Sequence, residues 1–185
     1  MIYLSSDYHF NHDKEFVWKE RGFVSVQEMN EAIVERHNKV VTQEDTIFIL
    51  GDVMLGGSTN ISGLDYLKRM NGNKIIIAGN HDTDKRIQLY EELNIPVYYA
   101  QRLKYGKYHF YLSHYPTITA NYDEKTLKQC TLNLYGHTHQ KDKFYNNNPT
   151  MFHCGVDSND CYPISIESII QQMKLEIEIQ KKKEG

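Results

Sequence analysis

The chain of 185 residues carries 21 Lys and Arg against 24 Asp and Glu, a formal net charge of −3. That near balance lacks the excess positive charge on which nonspecific nucleic-acid binding draws, so nucleic acid is a disfavoured partner. Three cysteines, Cys130, Cys154 and Cys161, include no C-x-x-C pair, which argues against a disulfide framework and a thiolate zinc site and leaves them as small buried hydrophobes.

The start, MIYLSSDYHF, has no basic region ahead of an apolar run, and no stretch approaches 18 apolar residues. A cytoplasmic protein with no membrane partner is expected. The length suits one domain, placed at 1–180, followed by a charged tail at 181–185 that is expected to fray.

Ile2-Tyr3-Leu4 is a short apolar run that stops at Ser5-Ser6-Asp7, as a buried strand gives way to a polar loop. The same design recurs along the chain. Thr46–Leu50 runs into Gly51-Asp52, Lys74–Ala78 into Gly79-Asn80-His81-Asp82, and Tyr108–Leu112 into Ser113-His114. Thr131–Tyr135 then ends at Gly136-His137-Thr138-His139, and Met151–Cys154 at Gly155.

Between the early strands lie segments with helical spacing. Met29, Ile33, His37, Val40 and Val41 mark one, and Ile61, Leu64, Leu67 and Met70 the next. Asp84 to Leu93 is a third helix candidate, so the first half reads as repeated βαβ units. Pro96–Ala100 and Arg102–Lys104 look extended, with a hairpin turn at Tyr105-Gly106-Lys107. Ile166, Ile169, Ile170, Met173 and Ile177 fit a last helix, although Leu175–Ile179 alternates as a strand would; helix is the favoured reading. His37 on an apolar helix face and His109 inside a strand are ascribed to packing.

Nearly every polar cluster sits immediately after an apolar strand. In α/β sheets ligands bind at the carboxyl ends of the strands, so the clusters are expected to converge. Singly each has an ordinary explanation: D-x-H after a strand is commonly a turn, and G-D is a common turn dipeptide.

Asp7-x-His9, Gly51-Asp52, Gly79-Asn80-His81-Asp82, Ser113-His114 and Gly136-His137-x-His139, in that order, resemble the calcineurin-like metallophosphoesterase superfamily over roughly residues 1 to 157. The resemblance implies an α/β sandwich of two mixed β-sheets flanked by helices, and hydrolysis of phosphate esters at two divalent ions. It makes Asp52 the bridge between the ions, with Asp7, His9 and His139 on one and Asn80, His114 and His137 on the other. Two cations about 3.5 to 4 Å apart repel unless an anionic ligand lies between them, and a bound water there has its pKa lowered towards about 7. Nitrogen and oxygen donors without thiolates suit manganese, iron or zinc.

His81 resembles the family histidine that protonates the leaving group, and Asp82 is expected to orient a neighbouring imidazole. Phe10-Asn11-His12, with Arg21 and Met29 following, resembles a small bacterial and phage branch, which points to His12 and Arg21 as contacts for the substrate phosphate. Gly155-Val156-Asp157 before Pro163 also resembles that branch, although His153 stands where the branch usually has asparagine. His153 is read as a structural histidine, or as one supporting a ligand from behind, rather than as a ligand. The expected substrate is a small phosphate ester, nucleotide-like ones included, with diesters favoured over monoesters; a nuclease and a non-catalytic metal-binding module are the alternatives.

Overall fold

The computed structural model describes residues 1–55, 61–121 and 126–184, with the side chains of residues 61, 62 and 184 excepted. Two mixed sheets face each other. The first takes β1 (Ile2–Ser5), β2 (Thr46–Ile49), β3 (Asn73–Ile77), β4 (Val97–Tyr98) and β9 (Ile164–Ser165) in the order β4-β3-β2-β1-β9. Its strands are parallel except β9, which runs antiparallel to β1. The second takes β5 (Ala100–Tyr105), β6 (Tyr108–Ser113), β7 (Thr131–Tyr135) and β8 (Met151–His153) in chain order, antiparallel at β5–β6 and parallel thereafter.

The alternation of side chains along each strand divides the core in two. Leu4, Phe48, Leu50 and Ile77 point towards the second sheet and meet Phe110, Leu112, Leu132, Leu134 and Phe152 there. Their neighbours Tyr3, Ile47, Ile49 and Ile76 point the other way, against the helices that connect the first sheet's strands. These are α2 (Val26–Val40), α3 (Ile61–Arg69) and α4 (Asp84–Glu92), with α1 (Glu15–Trp18) a single turn ahead of them. Strands buried on both faces explain the continuous apolar runs in the sequence.

Ser25 caps α2 by accepting the Glu28 N–H at 3.1 Å, and Glu28 accepts the Val24 N–H at 2.7 Å, so the Ser-x-x-Glu pair holds both donors of that helix start. On α2 the buried face carries Met29, Ile33 and His37; the His37 imidazole bonds the Asn71 carbonyl at 3.0 Å. His109 is exposed on β6. Both histidines therefore belong to packing and surface.

The last helix, α5 (Ile166–Glu184), lays Ile166, Ile169, Ile170 and Met173 into the core between the sheets. The helical spacing there prevailed over the competing strand alternation. The charged segment expected to fray continues α5 as far as Glu184, while Gly185 lies outside the described residues. Lysine is a good helix former, and Lys181, Lys182 and Lys183 place positive charge at the negative end of the helix dipole. Of the spacing read for α3, Leu64, Leu67 and Met70 are buried, and the side chain of Ile61 lies outside the described residues.

Candidate metal centre

Because β1, β2, β3, β6, β7 and β8 run parallel within their sheets, the loops after them lie at one end of the sandwich, and their polar clusters meet. Two groups of donor atoms result. Asp7, His9 and His139 offer ligand atoms within 4.8 Å of one another, as do Asp52, His114 and His137. Asn80 joins the second group through Oδ1, 2.9 Å from His114 Nε2.

Asp52 joins the two groups. Its Oδ2 lies 3.5 Å from His114 Nε2 and 3.7 Å from His9 Nε2, while Oδ1 accepts the His81 backbone N–H at 2.9 Å. Burial works against the charge of this carboxylate, but His114, the His81 N–H and His9 together outweigh burial and hold the pKa down at about 2. Asp7 accepts the His137 backbone N–H on both oxygens at 3.0 Å and the Ser6 hydroxyl at 2.5 Å. Burial dominates there and raises its pKa in spite of His139 and His114.

The imidazoles are arranged as ligands need. Burial pushes His9 down to about 2, so the ring is neutral and offers a lone pair. His114 Nδ1 lies 2.7 Å from the Leu50 carbonyl, which can only accept; Nδ1 therefore carries the proton and Nε2 faces the site. His139 Nδ1 lies 2.9 Å from Asp157 Oδ2, which leaves its Nε2 only 3.1 Å from His9 Nε2. Lone pairs and carboxylates converging at such distances require a proton or a cation among them, and this donor set of nitrogen and oxygen fits divalent cations.

Backbone geometry makes the convergence possible. Asp7, His9, Asp52, His137 and His139 all adopt positive φ, between 49° and 70°. Non-glycine residues rarely do so, and Asp, Asn and His are the types that tolerate it best. Gly79 serves the same end by size: a Cβ on it would meet the Asp52 backbone nitrogen at 2.7 Å.

A model of the calcineurin-like phosphoesterase superfamily domain matches residues 1–156, five-sixths of the chain. The chain belongs to the calcineurin-like phosphoesterase superfamily. As a member it is a metal-dependent phosphoester hydrolase. The uncharacterized protein MJ1445 of Methanocaldococcus jannaschii is 28% identical over 176 residues, covering 92% of this phosphoesterase and 89% of that protein. The Gene 66 protein of Mycobacterium phage D29 is also 28% identical, over 185 residues that cover 88% of this chain and 92% of its own. The crystal structure of AQ665 from Aquifex aeolicus shares the fold, with a TM-score of 0.70 at 26% identity, covering 92% of this phosphoesterase and 98% of that chain. Among the described residues of the phosphoesterase, no helix is long and apolar enough to cross a membrane.

Not every expected role survives the geometry. Among the described residues Asp82 bonds no imidazole. It lies buried beneath the centre, where Oδ2 accepts the N–H groups of Asp52 (2.8 Å) and Gly79 (2.9 Å), and Oδ1 accepts the Tyr90 hydroxyl (2.9 Å) and the Val53 N–H (3.3 Å). It ties the loop after β2 to the loop after β3. Arg21 does not offer its guanidinium to a phosphate either, for all five of its donors are engaged inside the protein. Nε and Nη2 clasp Asp157 at 2.9 and 3.1 Å, Nη2 also bonds the Asp7 carbonyl at 2.8 Å, and Nη1 reaches the Tyr8 carbonyl at 3.2 Å and Met29 Sδ at 3.4 Å.

His81 stands at the mouth, with its side chain 43% exposed and Nε2 4.0 Å from Asp52 Oδ2. His12 is half-buried, its ring packed edge-on against both His9 and Phe16. His153 is buried with Nδ1 on the Ser158 hydroxyl at 2.8 Å, and burial lowers its pKa to about 4; it is a neutral structural residue. Asp157 and Tyr115 touch the donor imidazoles, and neither was among the expected site residues. Tyr115, half exposed, packs edge-on against His137 and His114 with ring centroids 4.7 and 5.1 Å away. Asp157 follows a strand end like every other cluster, which was the available signal; nothing comparable marks Tyr115.

Proposed function

We propose that the protein hydrolyses small phosphodiesters, nucleotide-like ones included, at a centre of two divalent cations. Asp7, His9 and His139 would hold one, Asn80, His114 and His137 the other, with Asp52 between them. The observation that carries this reading is the place of Asp52 Oδ2, within 3.7 Å of a donor in each group and on the carboxylate whose charge the site preserves. Manganese, iron and zinc fit the donor set. When bound, such ions neutralise the phosphoryl oxygens and lower the pKa of water at the phosphorus.

The chain itself orients and protonates. Asp52 and Asp7, fixed by the His81 and His137 backbone N–H groups, keep the donors converged on one point. His81, exposed beside that point, is placed to give a proton to the departing ester oxygen.

A groove of about 840 Å³ leads away from His9, His81 and His139 between α1 and the loop after β8, lined by His12, Phe16 and Lys141 among others. A diester can seat one ester group there while the other departs, whereas a monoester has only its departing group to place. Arg21 is paired with Asp157, and Arg36 and Lys141 are matched in number by Glu20 and Asp160, so the groove carries no surplus of positive charge for a further phosphate. The near-balanced charge of the chain weighs against a nuclease, and two intact donor groups weigh against a binding module without turnover.

The test is p-nitrophenol release from bis(p-nitrophenyl) phosphate and from p-nitrophenyl phosphate by metal-stripped protein given manganese, iron or zinc. Metal-dependent turnover, faster on the diester and reduced in His81→Ala without loss of bound metal, is the expected result. Turnover of the monoester alone would overturn the diester reading, and stoichiometric ion binding without turnover of either would favour the module.

A further inference from the structure

Arg21 is 3% exposed, and Asp157, which it clasps, is 11% exposed; the pair is built into the protein rather than laid on its surface. Its bonds lead to two places. Through Nη1 and Nη2, Arg21 holds the carbonyls of Tyr8 and Asp7, so it fixes the loop in which Asp7 and His9 take left-handed backbone conformations. Through Asp157 Oδ2 it reaches His139 Nδ1 at 2.9 Å. Alongside the Ser6 hydroxyl and the His137 N–H on the Asp7 carboxylate, this one ion pair thus braces the backbone or side chain behind each donor of the first group. The second group has braces of its own in the Leu50 carbonyl on His114 and Asp82 beneath Asp52, and meets the first where the His137 N–H bonds Asp7.

We infer that Arg21 and Asp157 form a positioning pair for the cation site of Asp7, His9 and His139, and that they set the affinity of this site far more than that of its neighbour. Asp157 accepts the Nδ1 proton of His139 and so leaves Nε2 as the nitrogen that faces the ion, while the two-point clasp of Arg21 holds Asp157 in place. This inference rests on the two-cation reading above. The charge of Asp157 also strengthens His139 as a donor, as a carboxylate behind a metal-bound imidazole does. Asparagine at 157 keeps the shape but can present its NH₂ to Nδ1, which would turn the ring's proton onto Nε2.

Two measurements test it. Zinc or manganese titrated calorimetrically into metal-stripped protein is expected to fill two sites in the wild type; in Asp157→Asn one site weakens about 10- to 100-fold and the other stays within about twofold. Arg21→Lys, which keeps the charge but cannot clasp both carboxylate oxygens, weakens the same site. Adding His137→Ala to Asp157→Asn identifies the weakened site, because the background then lacks a donor of the second group. The second measurement needs no variant: nitrogen-15 correlation spectra of the metal-free wild type, at a pH where His139 is neutral, are expected to show its proton on Nδ1. A proton on Nε2, or two unchanged affinities in Asp157→Asn, overturns the inference. No ion binding by the wild type would instead overturn the cation reading on which it stands.

Discussion

Asp82 gives the sharpest prediction about what holds the centre in shape. Its two oxygens receive three backbone N–H groups and the Tyr90 hydroxyl, all buried except the part-buried Gly79 N–H, with three of the four bonds between 2.8 and 2.9 Å. In Asp82→Ala the N–H groups of Asp52, Val53 and Gly79 lose their acceptor at once. Each buried orphan costs about 1–3 kcal/mol, so the loss from three is about 3–9 kcal/mol, less where water reaches the part-buried Gly79 N–H.

Asp82→Asn separates bonding from space filling. Its amide can keep oxygen towards Asp52 and Gly79 and turn NH₂ towards Tyr90, whose hydroxyl can accept as well as donate; only the Val53 N–H, in the longest bond, is then left facing a donor. The expected loss is about 1–3 kcal/mol, most of it from the charge assistance that the carboxylate gave. Urea unfolding of the metal-stripped variants measures both. Metal titration should further show Asp82→Asn retaining two ions, since no donor group is touched. An Asp82→Ala protein within 1 kcal/mol of wild type, or an Asp82→Asn protein less stable than Asp82→Ala, would refute the bracing argument.

Other consequences can be checked in parallel. Asp52→Asn should preserve the fold by circular dichroism but bind fewer than two ions and lose most activity, because the charge between the donor groups is gone. Gly79→Ala should weaken ion binding and lower stability by about 1–3 kcal/mol, since its Cβ would press on the Asp52 backbone; a wild-type-like protein would contradict the close approach. His37 should make the fold acid-sensitive. Its folded pKa of about 4 lies below the ordinary 6.5, so the unfolded chain binds more protons between these values, and the stability held above pH 6.5 is lost as pH falls towards 4. At roughly 1.4 kcal/mol per unit this amounts to about 3 kcal/mol at most. His37→Gln should lose correspondingly less between pH 7 and 4.5 in urea titrations, and equal losses would count against it.

The strands and larger helices were legible because each is a run with an unambiguous period, stopped by glycine or a polar cluster. β9 was not legible: two residues, Ile164 and Ser165, carry no period and pair with β1 only because Pro163 and α5 deliver them to its edge. For the centre, the sequence disclosed which residues converge, since ligand loops follow strands and parallel strands end together. It did not disclose the use of Arg21 or Asp82. Both are charged residues near a phosphate-handling motif, and only the count of donors and acceptors around them shows that each spends its hydrogen-bonding capacity on the backbone and side chains that shape the site.

The left-handed residues at Asp7, His9, Asp52, His137 and His139 change what a mutational scan of this protein can teach. At these positions alanine removes a donor atom and also installs a side chain less suited to the backbone, so its effect mixes coordination with strain of about 1–3 kcal/mol. Exchanges among Asp, Asn and His leave the backbone comparatively content and report the donor alone. A designer seeking to change the ion this scaffold prefers would accordingly choose new ligands first by the torsion angles they accept and only then by their affinity for the metal.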